Sequence, residues 1–466
     1  MDDQITLKNG EIRGLSGGHH QSSDLRKWTF GTAIGIEGLA EYATGNCIPW
    51  DKGIIAEELW HSAKYYLSLI TDEGWLLNCT WVPEDYNTEC AGKGYGDYQA
   101  AWRKRKYFET PDSEHSHWQV IKTLAAVAKY FKGINAKIYK ACLTGAEKVW
   151  NYMQNEGKSL HGYQLPVFPP LGHDGMPKMF QGFYEGSALR YASCALAACK
   201  LFELTGKEEY KMTAYEMLDN LCDLQLEGES LDSCVRACFW ESKESNILAN
   251  NYYYFYCINV PMAFADAAEL WTDAKNRDQW LECMKTIADQ YQKLSNKSPF
   301  GRIPSSFYTE NNDVFSKAAL FSFSITSDNE RKNASIGQTQ HNGQTFSVFS
   351  EYYNFCYNLD LIAAGIFLLK AAELTGNNNY RITAQSQLDW IMGANPFDAS
   401  NIEGVGYNQP HRGILGGFFP PVPQIPGAVF TGITKECFEE ASLGYDCEYD
   451  MPMVGWLLYL YSQIEH

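Results

Sequence analysis

A glycine-led loop near the start of the chain combines a carboxylate with histidines and a tryptophan. Residues 17–28 read Gly-Gly-His-His-Gln-Ser-Ser-Asp-Leu-Arg-Lys-Trp and precede a predicted helix. A carboxylate held close to water can take a proton from it at neutral pH, so we predict Asp24 as a general base. His20, Gln21 and Trp28 would contact a substrate, and the indole ring would stack on a sugar. Alternatively, Asp24 caps the helix and the histidines are ordinary surface residues.

An acidic segment leads into the last predicted helix, with the sequence Tyr-Asp-Cys-Glu-Tyr-Asp at residues 445–450. Crowded carboxylates raise the pKa of one member of the group, as a proton donor to a leaving group requires. We predict Glu448 as this general acid, with Asp446 as the other candidate and Tyr449 as a substrate contact. Alternatively, the carboxylates only complement the positive end of the helix dipole.

Two further segments carry groups that suit a polar substrate. A glycine-rich loop ends in His411 and Arg412, which would donate hydrogen bonds to sugar hydroxyls or simply belong to a structured surface loop. Trp118 closes the sequence Glu-His-Ser-His-Trp at residues 114–118 and is predicted to stack on a sugar. The two histidines of that segment have no further ligand nearby, so neither a metal nor a cofactor is predicted.

Helical periodicity dominates the chain and predicts the elements that position these residues. Strand signals are few and short, and no linker rich in proline or serine divides the sequence. We expect about twelve helices in one domain, residues 1–466, with long functional loops between them. The clearest predicted helices span residues 33–44, 55–70, 115–132, 135–155, 184–206, 207–225, 255–271, 276–296, 353–375, 378–393 and 451–463.

An internal repeat indicates how the helices are arranged. Residues 203–221 read ELTGKEEYKMTAYEMLDNL, and residues 373–391 read ELTGNNNYRITAQSQLDWI. Gly206 and Gly376 can adopt the left-handed conformation that ends a helix, and a short turn then leads into the next helix. The first helix of each pair is apolar nearly all round and the second is amphipathic, which predicts an inner and an outer ring. About six such pairs would form an (α/α)6 toroid, with an open helical solenoid as the competing arrangement.

Composition narrows the classes of partner. The chain has 466 residues and a formal net charge of −18, which disfavours nucleic acids and anionic membrane surfaces. Its 14 cysteines are scattered, and Cys194, Cys199 and Cys356 lie in apolar helical stretches, which favours buried free thiols. The N-terminus has no signal peptide, so the sequence as it stands predicts a cytoplasmic protein. A leader that had been removed would instead indicate a periplasmic or secreted protein.

Taken in order, these segments resemble glycoside hydrolase family nine, and the stretch 388–412 resembles it most. That family has a helix that ends in a Gly-x-Asn-Pro step, followed by a Gly-x-Asn loop that closes on a histidine and an arginine. The counterparts here are Gly-Ala-Asn-Pro at 393–396, Gly-Tyr-Asn at 406–408, and then His411 and Arg412.

The resemblance implies an all-α (α/α)6 toroid that hydrolyses an oligo- or polysaccharide by inverting attack of water. The segment from Gly18 to Asp24 corresponds to the family's early Asp-Ala-Gly-Asp motif, and Asp24 takes the place of the general base. His411 and Arg412 would hold sugar hydroxyls next to the scissile bond. An oligosaccharide is therefore the expected partner.

Two positions depart from the family pattern and keep other functions open. Gln21 stands where the motif has its first aspartate, and Gly444 stands at the acid position counted back from Asp450. A uronate-polysaccharide lyase on the same toroid would use Arg412 to neutralise a carboxylate, and the basic run at 103–106 suits such a substrate. A sugar-binding protein without turnover would need no acid at all.

Overall fold

The structure, a computed structural model, describes the helical framework of the chain. The described residues are 4–20, 27, 29–46, 52–80, 106–157, 187–226, 238–240, 242–243, 256–303, 306–309, 335–341, 344–349, 357–409, 425–433, 449 and 451–464. Contacts divide the chain into two compact units. Unit 1 comprises Met1–Tyr184 and Pro410–Ser462, and unit 2 comprises Glu185–Gln409 and Gln463–His466. The expectation of a single domain stays a prediction.

Eleven α-helices lie within the described residues, and each matches a predicted helix to within four residues at either end. They are α1 (Thr29–Asn46), α2 (Lys52–Leu69), α3 (Glu114–Phe131), α4 (Ala136–Asn155), α5 (Ser187–Thr205), α6 (Glu208–Cys222), α7 (Tyr256–Leu270), α8 (Arg277–Ser295), α9 (Tyr357–Thr375), α10 (Asn378–Met392) and α11 (Met451–Ile464). Among these helices, none is both long and apolar enough to cross a membrane.

Short strands complete the described elements, in keeping with the weak strand signals of the sequence. They are β1 (Gln4–Thr6), β2 (Ile12–Gly14), β3 (Leu77–Thr80), β4 (Lys106–Pro111), β5 (Ser306–Thr309), β6 (Ser335–His341) and β7 (Gln344–Phe349). β1 pairs with β2 and β3 pairs with β4, both antiparallel. In the third sheet β7 lies between β5 and β6, again antiparallel. These three small sheets are minor elements of a fold built mainly from helices.

The internal repeat corresponds to two helix–turn–helix units with the same local geometry, both in unit 2. α5 ends before Gly206 and α9 ends before Gly376, where φ is 67° and 73°. The amide of each glycine donates to the carbonyl oxygen four residues earlier, at 2.7 and 2.8 Å. Tyr210 and Tyr380, at the same offset in the next helix, are both buried. The predicted left-handed role of the two glycines is confirmed.

The two helices of a pair differ in how much of their surface is buried, as predicted. Every residue of α3 except Lys129 is buried, whereas α4 buries only one stripe. The stripe recurs at steps of three and four residues and comprises Ile138, Cys142, Gly145, Ala146, Val149, Trp150 and Met153. α3 packs against α1 as well as α4, and in unit 2 α7 packs against both α5 and α9. The most buried helices therefore contact one another, and each amphipathic helix covers its own partner.

Glycines bring α1 and α11 into backbone contact within unit 1. A Cβ atom added at Gly455 would lie only 2.3 Å from the carbonyl oxygen of Gly35. Gly35 faces Met451 at the start of α11, and Gly38, almost one turn later in α1, faces Trp456. Because the contacts advance in the same direction along both helices, α1 and α11 run parallel and begin at the same end.

Replacing Gly455 by alanine should destabilise this crossing. The new methyl group would meet backbone atoms, the Gly35 oxygen at 2.3 Å and the Leu39 nitrogen at 2.5 Å, so the helices must separate. We expect the free energy of unfolding, measured by urea denaturation, to fall by about 1–3 kcal/mol. Gly45→Ala in α1 is the matched control, because a Cβ there meets nothing within 4 Å. Equal effects of the two changes would contradict the close contact.

Candidate active site

Three helices of unit 1 begin at the same end of the unit, and two of them follow the predicted catalytic segments. Asp24 precedes the start of α1 at Thr29 by five residues, and Glu448 precedes the start of α11 at Met451 by three. The third helix, α3, follows Asp112, whose carboxyl group lies beside the Thr29 hydroxyl. This end of unit 1 is therefore the candidate active site.

The segment that contains Asp24 is attached to α2 on both sides. At Gly18, where φ is 67°, a Cβ atom would lie 2.6 Å from the Tyr65 ring. The Lys27 ammonium group donates to the Gly17 carbonyl oxygen at 2.7 Å and lies 5.1 Å from the centre of the Tyr65 ring. The Tyr65 hydroxyl in turn donates to the Lys27 carbonyl oxygen at 3.4 Å. One buried tyrosine thus fixes the beginning and the end of the segment.

A histidine–carboxylate pair lies at the beginning of the same segment. His19 Nε2 is hydrogen-bonded to Glu58 Oε1, and the His61 ring centre lies 5.6 Å from that of His19. The hydrogen bond from His19 lowers the pKa of Glu58, although partial burial opposes the shift. Ser62 also donates to Glu58, at 3.5 Å. Glu58 is therefore a carboxylate that holds His19 on α2, next to the half-buried His20.

Asp112 is a buried carboxyl group that the sequence did not single out. It is 6% exposed, and the Ser113 amide donates to its Oδ1 at 2.6 Å. Burial raises the pKa of Asp112 to about 6, while the Ser113 amide and the nearby hydroxyls of Ser116 and Thr29 act in the opposite direction. An aspartate just before a helix is usually a cap. The cap of α3 is instead Ser113, whose side chain accepts from the Ser116 amide at 3.2 Å.

The prediction that Trp118 stacks on a sugar is wrong, because its ring lies in the core. Trp118 is 4% exposed, and its Nε1 donates to Glu114 Oε1 at 3.0 Å. Its ring meets Trp150 of α4 edge to face, with 5.8 Å between the ring centres. An indole covered in this way has no free face for a ligand, so Trp118 joins α3 to its outer partner.

Both ring nitrogens of His117 are engaged within the protein. Nδ1 donates to the Ser113 carbonyl oxygen at 2.7 Å, and Nε2 accepts from the Leu76 amide at 3.0 Å. The ring is fully buried, which lowers the pKa of His117 to about 4. This histidine therefore has no nitrogen left for a metal. In the part of the chain that the structure describes, no three side chains form a group suited to a metal ion.

Titration of Asp112 and titration of His117 change the free energy of unfolding in opposite directions as the pH falls. Folding raises the pKa of Asp112 from 3.8 to about 6, so acidification through this window stabilises the folded protein by about 3 kcal/mol. Folding lowers the pKa of His117 from 6.5 to about 4, so acidification through that window destabilises it by about 3 kcal/mol. The two contributions nearly cancel.

In an Asp112→Asn variant, the effect of His117 on the pH dependence of the free energy of unfolding should no longer be cancelled. Relative to the unmodified protein, the free energy of unfolding of the variant should fall by about 2–3 kcal/mol between pH 7.5 and pH 4. Urea denaturation at several pH values measures this difference. Asp72→Asn removes a carboxylate that is 92% exposed and should leave the pH dependence unchanged. Parallel pH profiles for Asp112→Asn and the unmodified protein would contradict the burial of this group.

Tyr449 is held beside the start of α11. It forms a short antiparallel bridge with Phe430, and the two ring centres lie 5.2 Å apart. The residue is 8% exposed, so most of its ring packs inside unit 1. The bridge fixes the residue that follows Glu448, and a contact between Tyr449 and a substrate stays a prediction.

The segment after α10 folds as a loop closed by asparagine side chains. Gly393 ends the helix with a φ of 125°. Asn395 donates to the Trp390 carbonyl oxygen at 2.9 Å and accepts from the Phe397 amide at 3.1 Å. Asn408 donates to the Phe397 carbonyl oxygen at 2.8 Å. The asparagine side chains thus provide hydrogen-bond partners for backbone groups that have none within regular secondary structure. This role explains the asparagines of the Gly-Ala-Asn-Pro and Gly-Tyr-Asn sequences.

Most of the predicted site residues lie outside the described residues, and their roles stay predictions. They are Gln21, Asp24, Trp28, His411, Arg412 and Glu448, together with the alternative acid Asp446. The described residues include the starts of the helices that follow these segments and the residues that flank them in sequence.

Comparisons with known proteins bear on the fold and the family. The sequence model of the family Glycosyl hydrolase family 9 matches residues 1–414 of this chain. An endoglucanase of the termite Nasutitermes takasagoensis is 16% identical, with 98% of this chain and 89% of that chain covered and a TM-score of 0.57. The cellulase Cel9M of C. cellulolyticum in complex with cellobiose is 14% identical, with 99% and 90% covered and a TM-score of 0.58. A comparison with curated protein sequences finds no match.

A third solved structure, a GH9 protein of Bacteroides ovatus, is 14% identical, with 98% of this chain and 73% of that chain covered and a TM-score of 0.56. Structures at this identity speak for the fold alone, and they confirm the predicted all-α (α/α)6 arrangement. The family match spans most of the chain. The chain therefore belongs to glycosyl hydrolase family 9, and the protein is a glycoside hydrolase.

Proposed function

We propose that the protein hydrolyses an oligo- or polysaccharide with inversion, with Asp24 activating water and Glu448 protonating the leaving oxygen. The parallel contact between α1 and α11 carries this proposal. Asp24 and Glu448 each lie a few residues before one of these helices, and both helices begin at the same end. In an inverting enzyme the two carboxyl groups lie about 6.5–9.5 Å apart, which leaves room for the attacking water.

The contacts on α2 support the role of Asp24. A general base must be held close to its water throughout proton transfer, and small displacements cost much of the rate. Gly18 and Lys27 rest on Tyr65, and Glu58 holds His19, so the segment is anchored before and after the proposed base.

We propose β-linked glucans as the first substrates to test. The similar structures include an endoglucanase and a cellulase in complex with cellobiose. The family match favours hydrolysis over elimination by a lyase. Glucosaminides and uronans complete the panel, because Gln21 and Gly444 depart from the family pattern in the segments expected to carry the catalytic carboxylates.

Two assays on this panel distinguish the possible reactions. Hydrolysis creates new reducing ends without ultraviolet absorbance, whereas elimination creates reducing ends together with an absorbing double bond. We expect reducing ends alone on at least one polysaccharide. An absorbing product from a uronan would contradict the proposal, and so would saturable sugar binding without any product.

A further inference from the structure

Two free thiols lie side by side on neighbouring helices of unit 2. Cys222 is the last residue of α6, Cys283 lies in the second turn of α8, and their Sγ atoms are 3.8 Å apart. Cys194 and Cys199 are buried thiols, as the sequence predicted. Cys356 lies outside the described residues.

The two sulfur atoms belong to one chain of hydrogen bonds. The Cys283 thiol donates to Gln225 Oε1 at 3.1 Å, so its only proton is used there and the Cys222 thiol donates to Cys283 Sγ. Next to the pair, Asn276 at the start of α8 donates to Asp219 of α6 at 2.7 Å, which holds the two helices together. The sulfur atoms are thus kept as neighbours by the fold.

The two thiols differ in their access to solvent. Cys283 is 5% exposed, whereas Cys222 is half-buried, so a dissolved reagent reaches Cys222 first. The hydrogen bond with Cys283, and then burial, raise the pKa of Cys222. The Cys222 thiol is therefore neutral in the resting protein, and alkaline solution should speed its reaction.

We propose that Cys222 and Cys283 form a dithiol site that small disulfides oxidise reversibly to an intramolecular disulfide. The Cys222 thiolate attacks one sulfur of the reagent, the reagent's sulfur–sulfur bond breaks, and one small thiol leaves. Cys283 then attacks Cys222 Sγ and displaces the second small thiol. The two protein thiols lose two electrons and two protons in total, and the reagent gains them as two free thiols.

The new bond would tie the α5–α6 pair to the α7–α8 pair. It would close a loop from residue 222 to residue 283, and closing a loop of this length restricts the unfolded chain. We expect the thermal midpoint to rise by a few degrees, on the order of 5 °C or less in a chain of this size. Both cysteines lie outside the proposed catalytic segments, so the rate of hydrolysis should stay the same.

Peptide mapping of the full chain tests the proposal. The protein is incubated with oxidised glutathione at about pH 9, blocked with a thiol reagent, and digested without reductant by trypsin and a glutamate-specific protease. Cleavage after Glu227 separates Cys222 from Cys234. We expect a linked peptide pair that contains Cys222 and Cys283, disappears on reduction and accompanies the higher midpoint. Cys222→Ser and Cys283→Ser should each abolish both signals.

Cys142→Ser is the matched control, because this buried cysteine lies on α4 of unit 1 and should not affect the linked pair. A lasting mixed disulfide on Cys222 beside a free Cys283 would overturn the proposal. Linkage of either residue to a different cysteine in the folded protein would also overturn it. The same holds if the folded protein does not react under conditions that oxidise the urea-unfolded chain.

Discussion

Replacing Asp24 by asparagine should lower kcat by about 10²–10⁴-fold on any polysaccharide that the protein hydrolyses. Asparagine has the same shape and can still hydrogen-bond a water molecule, but it cannot accept the proton that water must lose during attack. Substrate binding uses other groups, so KM should change much less than kcat. Steady-state release of reducing ends gives both constants.

Glu57→Gln is the control for this change. Glu57 is exposed on α2, the helix that anchors the Asp24 segment, so the variant removes the same charge without touching the proposed site. It should keep the rate of the unmodified protein. Thermal midpoints establish that both variants fold. A folded Asp24→Asn protein with full activity would show that another group is the base.

Replacing Glu448 by glutamine should slow the hydrolysis of unactivated glucans by about 10²–10⁴-fold. The leaving sugar oxygen needs a proton as its bond to the anomeric carbon breaks, and glutamine has none to give. In a 2,4-dinitrophenyl glycoside the leaving group is 2,4-dinitrophenolate, a stable anion that needs no proton to depart. The variant should therefore hydrolyse a 2,4-dinitrophenyl cellobioside at nearly the rate of the unmodified protein.

Asp446→Asn is the matched variant, because Asp446 is the other candidate for the acid. If Glu448 is the acid, Asp446→Asn should slow the two substrates by the same small factor. A selective loss on unactivated glucans in Asp446→Asn alone would move the role to Asp446. Equal losses on both substrates in both variants would contradict an acid in this segment.

The helical framework was predictable because its determinants are local. Apolar residues at steps of three and four defined the helices, and the glycines after Leu-Thr ended them at Gly206 and Gly376. The sequence also predicted a first helix that is apolar nearly all round, at residues 191–199 and 361–369, followed by an amphipathic one. These signals can be recognised without knowing which helices pack against each other. The nearly complete burial of α3 was not visible in this way, because many of its buried residues are polar.

The surroundings of the site were less predictable because they depend on tertiary contacts. The role of Tyr65 as the support for Gly18 and Lys27 joins residues about forty positions apart in sequence. Asp112 precedes a helix as many exposed capping residues do, and only packing makes it a buried carboxyl with a pKa of about 6. Trp118 was misplaced because α3 is buried on nearly every side, so periodicity did not indicate which face points toward a cleft.

The stereochemistry of the first product tests the central claim most directly. Proton NMR spectra recorded during the first minutes of hydrolysis of a β-linked glucan distinguish the two anomers before they equilibrate. Attack by a water molecule that Asp24 activates, opposite the leaving group, predicts the α-anomer as the initial product. An initial β-anomer would mean a double displacement through a covalent intermediate, and it would contradict the roles proposed for Asp24 and Glu448.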